Sequence, residues 1–478
     1  MISTLLQLPS STLQCILHVT IASISLWTQS IVTETRLVPS IDSIAKRYDI
    51  HDDIAGATLI AAGASAPELL CTFISLFITQ SSLGLGTIVG SEVFNLFIIA
   101  AGSVYATEGR MLQLERKCML RDAGFYAFSI LLLHLSLSDG RDVYVIDGVI
   151  VDDGTDEAHI ERRIFVQFWK AVLLLGGYVI YVVVCMNSSI DNKEVNDGAS
   201  RIDAGGNVDD DDVARECMDT IVSPYALNDA CNNVNNHNNE HVVASTIIVN
   251  HNTDEIDNHH MDLISKPTNN ASKMELFLWY ILYPLRLLMH YTLPHYIGRR
   301  LENNDEIDTQ LRCGYSSYLC IYITVSSCLV WLCISSYLMV TSLESLAALI
   351  GISDAVMGST VSAAGTSWPA YVASRMAAEK GMGGKAVSNI FGSNTFNVCI
   401  GLGFPWFIYI GVSMRFHPYT DLDDVGVVES MVALLATLLM FVILVALKDF
   451  VLVEWHANLF VGLYILYVIY TICQDYWR

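Results

Sequence analysis

The sequence predicts an all-α membrane protein of about ten transmembrane helices in two inverted-topology five-helix repeats. Three observations predict it. Mean hydropathy is +0.44, with 53% apolar and only 16% charged residues. About ten apolar stretches fall into two groups of five, and a pair of polar motifs recurs at one fixed spacing. The composition is too apolar for an ordinary soluble enzyme of 478 residues, so the lipid bilayer is the first partner implied. The formal charge of −23 does not contradict this, because the acids concentrate in the loop segments 139–161 and 191–262. The same acidity excludes nucleic acid as a partner.

Crossing a hydrocarbon core of roughly 30 Å takes about 20 mostly apolar helical residues. The first group of such stretches is 13–32, 54–78, 85–105, 123–137 and 166–185; the second is 315–340, 352–377, 385–410, 429–447 and 451–472. No basic residue precedes the first stretch, so it reads as a span and not as a signal peptide. The chain divides into a first membrane half (1–186, motif 54–105), a linker (187–273) and a second membrane half (274–478, motif 352–410). The linker is rich in Asn and Asp, including Asp209 to Asp212, and poor in aromatics, a composition that predicts disorder. Its partners are not legible. The segment 276–293 carries Pro284, Arg286 and His290 and fits either a span or an interfacial helix. Lys and Arg in the short loops number ten on the linker's side and four on the other, which predicts a cytosolic linker and an external amino terminus. The sequons at Asn187 and Asn270 would then be unused. The twelve cysteines have no metal-type spacing and read as free thiols.

One ungapped shift of 302 residues superimposes the two halves. Gly63-Ala64-Ser65-Ala66-Pro67-Glu68 falls on Gly365-Thr366-Ser367-Trp368-Pro369-Ala370, and Gly90-Ser91-Glu92-Val93-Phe94-Asn95 falls on Gly392-Ser393-Asn394-Thr395-Phe396-Asn397. Between positions 52 and 95 there are 13 identities. With five spans per half, the copies enter the membrane with opposite polarity.

Gly and Pro inside a span break the backbone ladder, and the freed carbonyls are tolerated only in a protein interior or beside a wet cavity. Around them stand hydroxyls (Ser65, Thr366, Ser367, Ser91, Ser393), amides (Asn95, Asn394, Asn397) and carboxylates (Glu68, Glu92), the hard oxygens that calcium and sodium prefer. Glu68 lies about 21 Å along its helix from Ile54, deep in the hydrocarbon, where a charge costs roughly 2.5–3.5 kcal/mol or more. Ser91, Glu92 and Asn95 share one helix face by their spacing.

The runs ATLIAAGASAPELL, GTIVGSEVFN and SNIFGSNTFNVCIGLGFPW resemble the alpha repeats of the cation/calcium antiporter superfamily, and among them those of the potassium-dependent sodium/calcium exchangers. The resemblance covers nearly all of the membrane portion. It implies alternating access, a central site where sodium and calcium compete, and no cofactor. It assigns coordinating roles to Ala61, Ser65, Glu68, Ser91, Asn95, Ala363, Thr366, Ser367, Ser393 and Asn397, the alanines through their carbonyls. Two positions depart from the family pattern: Ala370 stands where an acid follows the second Pro, and Asn397 stands where potassium-dependent members usually carry Asp. Glu92 replaces a residue that is commonly small, and we expect it to restore a second carboxylate.

No nucleophile–base pair or paired-aspartate motif suggests an intramembrane enzyme. Two other readings stay open: a monovalent cation or cation/proton exchanger with an altered site, and a transport-inactive membrane sensor or scaffold. The plasma membrane and organelle membranes are equally compatible. Isolated Ser and Asn residues serve as interhelical hydrogen bonds. Asp52, Asp53 and Asp354 read as helix N-caps, Asp209 to Asp212 as solvated linker, and the histidines at 237, 241, 251, 259 and 260 as too irregular for a zinc site.

Overall fold

A computed structural model describes residues 11–48, 50, 55–138, 140–146, 149–151, 159–203, 273–293, 317–412, 419–423 and 427–477. The acidic centre of the expected linker, with its Asp209 to Asp212 run and its histidines, lies outside the described residues, as do Asp52 and Asp53. Two units are distinct: 1–187 together with 291–478, which holds the membrane helices, and 188–290.

In the first half α1 spans Ser11–Arg47, α2 Thr58–Ala64, α3 Ala66–Thr79, α4 Leu83–Ala106, α5 Arg116–Leu137 and α6 Phe168–Asp203. The helix α7 (Lys273–Thr292) follows. In the second half α8 is Ser317–Ile350, α9 covers 354–366, α10 is Trp368–Glu379, α11 Gly383–Val412, α12 Val427–Ala446 and α13 Glu454–Trp477. Within the described residues, each of the ten expected apolar stretches lies mainly on one of these helices or on a broken pair of them. Among the described residues, seven helices are long and apolar enough to cross a membrane alone, and α2 with α3 makes an eighth as a pair bent by 51°. The count falls short of ten because α9 and α10 are likewise split at Ser367 and the apolar part of α12 is short. Helix α7, which contains Pro284, is not among the seven.

The repeat is visible in the backbone. π-helical turns occupy Gly56–Ile60 and Gly358–Ser362, and again Asn95–Ile99 and Asn397–Leu402, so both copies widen at the same register. Such turns recur at functional sites because the extra residue leaves carbonyls imperfectly paired. Packing is reciprocal: α4 crosses the π turn of α9, and α11 crosses the π turn at the start of α2. The first crossing is backbone to backbone. A methyl group at Gly90 would lie 2.6 Å from the Cα and carbonyl carbon of Ser359, and one at Gly358 would lie 3.0 Å from the carbonyl carbon of Leu83. Glycine here is a packing requirement, as in close helix pairs within membranes.

The membrane portion is all helical, and short strands lie between the spans. Strands β2 (Gly140–Ile146), β3 (Val149–Val151), β4 (His159–Val166) and β5 (Tyr419–Asp423) form an antiparallel sheet in the order β3-β2-β4-β5, and β1 (Met111–Gln113) pairs with β6 (Val451–Val453). The acidic loop read at 139–161 is therefore partly a hairpin. Its Val, Tyr and Ile residues favour strand, and the interspersed charges hid that preference. A further correction concerns Asp354: the N-cap of α9 is Ser353, whose hydroxyl accepts the Val356 N–H at 3.4 Å, with Asp354 one residue inside.

Candidate functional site

The two helix breaks place the site. Ser65 ends α2 with φ −91° and ψ 8°, and Ser367 ends α9 with φ −81° and ψ −2°. Pro67 and Pro369 sit in the first turn of α3 and α10, where a missing N–H is tolerated. They also withhold the N–H that would bond the carbonyl four residues earlier, at Gly63 and Gly365. The carbonyls of Ala61 and Ala363 keep helical donors, from Ser65 N at 2.9 Å and Ser367 N at 3.1 Å. The second lone pair of the Ala61 carbonyl remains for a cation, whereas the Ala363 carbonyl is also approached by the Thr366 hydroxyl at 3.4 Å.

Every residue expected at the site is buried: Ala61, Glu92, Ser91, Asn95, Ala363, Thr366, Ser367, Asn394 and Asn397 are 0% exposed, and Ser65, Glu68 and Ser393 are 1% exposed. Hydrogen bonds join the two copies across the pseudo-symmetric crossing. Ser367 Oγ donates to Glu68 Oε1 at 3.0 Å. Asn95 Nδ2 donates to Asn394 Oδ1 at 2.9 Å, Asn394 Nδ2 to the carbonyl of Glu92 at 3.2 Å, and Asn397 Nδ2 to Ser91 Oγ at 3.3 Å. Thr366 turns its hydroxyl back to the Ser362 carbonyl at 3.0 Å, so it helps close the α9 turn.

Six buried oxygens of this set have no hydrogen-bond partner: Ser65 Oγ, Glu68 Oε2, Glu92 Oε1, Asn95 Oδ1, Ser393 Oγ and Asn397 Oδ1. Buried polar atoms are normally paired, and each orphan costs roughly 1–3 kcal/mol, more for a charged group. Neither Glu68 nor Glu92 forms an ion pair with a Lys or Arg among the described residues. A cluster of oxygen acceptors, two of them carboxylates and none neutralised by the chain, suits a desolvated hard cation. The carboxylates both come from the first copy. Ala370, the counterpart of Glu68, is 1% exposed and packs among apolar residues, so the second copy brings no carboxylate to this set.

Sequence reasoning missed Tyr126. It is fully buried on α5, and its hydroxyl donates to Glu92 Oε2 at 2.6 Å. It also missed Asp122, one turn earlier on α5, which pairs with Arg121 at 2.7 Å and accepts the Ser388 hydroxyl at 2.7 Å, tying α5 to α11. Both lie outside the duplicated motifs, and Asp122 follows Arg121 at the charged start of its span, so the sequence carried no signal for either.

Comparison with known proteins gives the family. The family described as "Sodium/calcium exchanger protein" matches residues 18–187 and 321–473. Sodium/potassium/calcium exchanger 3 of Homo sapiens is 25% identical over 88% of this chain and 75% of its own length. Sodium/potassium/calcium exchanger 4 of Homo sapiens is 26% identical over 96% of this chain and 80% of its own. A solved structure of the sodium-calcium exchanger NCX_Mj, soaked with sodium and strontium, is 17% identical at a TM-score of 0.47, covering 95% of this chain and 98% of that one. With its two matched segments covering both membrane halves, the chain belongs to the sodium/calcium exchanger protein family.

Proposed function

We propose that the protein is a secondary active cation antiporter that exchanges calcium for sodium across a membrane by alternating access. The observation that carries this reading is the set of six unpartnered, fully buried oxygens drawn from both copies of the repeat. Glu68 and Glu92 supply the charge. Ser65, Asn95, Ser393 and Asn397 supply neutral oxygens, and the Ala61 and Ala363 carbonyls complete the shell. Glu92 stands in for the acid missing at Ala370, because one carboxylate would leave bound calcium with an uncompensated positive charge in a low-dielectric interior. Tyr126 holds that carboxylate in place. A divalent ion and sodium ions compete for the same oxygens, so release of one permits binding of the other. The breaks at Ser65 and Ser367 let the outer arms of each span move while the crossing stays packed.

The relatives include potassium among the ions in their names. Asn397 removes a carboxylate from the second copy, so we infer exchange that does not require potassium. Radioactive calcium uptake into vesicles loaded with sodium, measured with and without potassium, tests both statements. Uptake that rises with the outward sodium gradient and ignores potassium is expected. No gradient-dependent calcium uptake, together with sodium-gradient-driven lithium or potassium flux, would instead establish the monovalent reading, which the loss of acids at 370 and 397 favours.

A further inference from the structure

The inner face of α11 carries three polar residues at four-residue intervals, Asn389, Ser393 and Asn397, and all three hold a buried oxygen with no hydrogen-bond partner. Ser393 and Asn397 belong to the central site. Asn389 lies one turn, about 6 Å, nearer the turn that joins α10 to α11. It is 6% exposed; its Nδ2 donates to Ser374 Oγ at 2.8 Å and to the Ala370 carbonyl at 3.5 Å, leaving Oδ1 free.

The first copy is the internal control. Under the 302-residue shift, Asn389 and Ser374 correspond to Thr87 and Thr72. That rung is sealed: Thr87 Oγ1 is tied to the Leu83 carbonyl and to Ser362 Oγ, both at 2.8 Å, and Thr72 Oγ1 donates to the Glu68 carbonyl at 3.0 Å. Cys71 closes it further, 3.6 Å from Thr87 Oγ1. In an inverted repeat the two rungs lie on opposite sides of the centre, so the polar track is satisfied on one side and unsatisfied on the other.

We infer that Asn389, with Ser374, forms a transit subsite for a desolvated hard cation between the central site and the membrane face bearing the 380–382 turn. Oδ1 gives the ion an oxygen ligand as it leaves Ser393, and Ser374 holds the amide in that orientation. The subsite rests on the antiporter reading above. It adds that access is asymmetric, with a liganded step on one face only.

The test uses the full chain expressed in cells, with sodium-gradient-driven calcium flux measured in intact cells and in inside-out vesicles. Absence of exchange by the unmodified chain defeats the antiporter reading itself. Given exchange, Asn389→Leu is expected to raise the apparent KM for calcium about tenfold on the face with the 380–382 turn and to leave it within twofold on the other. Asn389→Ser, which keeps an oxygen, is expected to stay within threefold on both faces. Equal changes on both faces, or none on either, overturn the subsite. If Asn389→Leu does not reach the membrane, Ser374→Ala takes its place, with the same one-sided shift expected at about threefold and the same outcomes overturning it.

Discussion

Gly90 offers the sharpest test of the helix crossing, because it sits one residue before Ser91 and against the π turn of α9. An alanine methyl there would lie 2.6 Å from two backbone carbons of Ser359, and nearer still to its carbonyl oxygen. Carbon atoms in contact settle at about 3.5–4.0 Å, so α4 and α9 must separate by roughly 1 Å. Both partners are backbone, and no rotamer can yield. Overpacking of this kind costs about 1–3 kcal/mol. The larger effect is on geometry, since Ser91, Glu92 and Asn95 move with α4 away from Ser367 and Ser393. In enzymes a displacement of about 1 Å at a reacting group costs about a hundredfold. We therefore expect Gly90→Ala to lower the ratio of maximal calcium flux to KM at least tenfold. Gly124→Ala is the matched control, because nothing lies within 4 Å of a methyl built at that position on α5. Both variants are to be compared at equal surface expression in the sodium-gradient assay. Flux in Gly90→Ala within twofold of the unmodified chain would refute the claim that this crossing fixes the ligand set.

Three further outcomes follow from the same geometry. Glu92→Ala is expected to abolish calcium uptake, and retained uptake would remove Glu92 from the ligand set. Tyr126→Phe orphans Glu92 Oε2; the ion-free protein should lose about 1.5–3 kcal/mol of stability, read as a lowered melting temperature in detergent, and saturating calcium should restore part of it. Asn397→Asp adds an acid where potassium-dependent relatives usually have one, and calcium uptake should become potassium-stimulated; identical uptake with and without potassium counts against that assignment.

Much of this arrangement was legible in the sequence because the duplicated motifs are local: Gly63 to Glu68 and Gly90 to Asn95 are each six residues long, and spacing alone puts Ser91, Glu92 and Asn95 on one face. The π turns obey the same 302-residue shift, beginning at the paired glycines 56 and 358 and at the paired asparagines 95 and 397, although the sequence alone did not mark them as π. What escaped was set by tertiary packing. Tyr126 reads as one more aromatic in an apolar run until α5 docks beside Glu92. The free oxygen of Asn389 is invisible without knowing that Thr87, its counterpart, has been satisfied by Ser362 from the other copy. The strands between the spans escaped for a different reason, since alternating charge and β-branched residues in 140–166 look alike in a loop and in a solvated hairpin.

The one-sided supply of acids has a consequence for how the membrane potential acts on the carrier. On the proposed reading, Glu68 and Glu92 are the only carboxylates among the expected ligands, so the site would carry −2 when both are ionised, whatever the orientation of the carrier. Calcium would cancel that charge, so the calcium-loaded form would reorient across the bilayer as a neutral body and feel no voltage. Two sodium ions also cancel it, and each sodium beyond the second adds a full charge to the moving form. At about 2.3 kcal/mol per charge per 100 mV, voltage then acts through the sodium-loaded limb of the cycle, and the current carried per calcium counts the sodium ions directly.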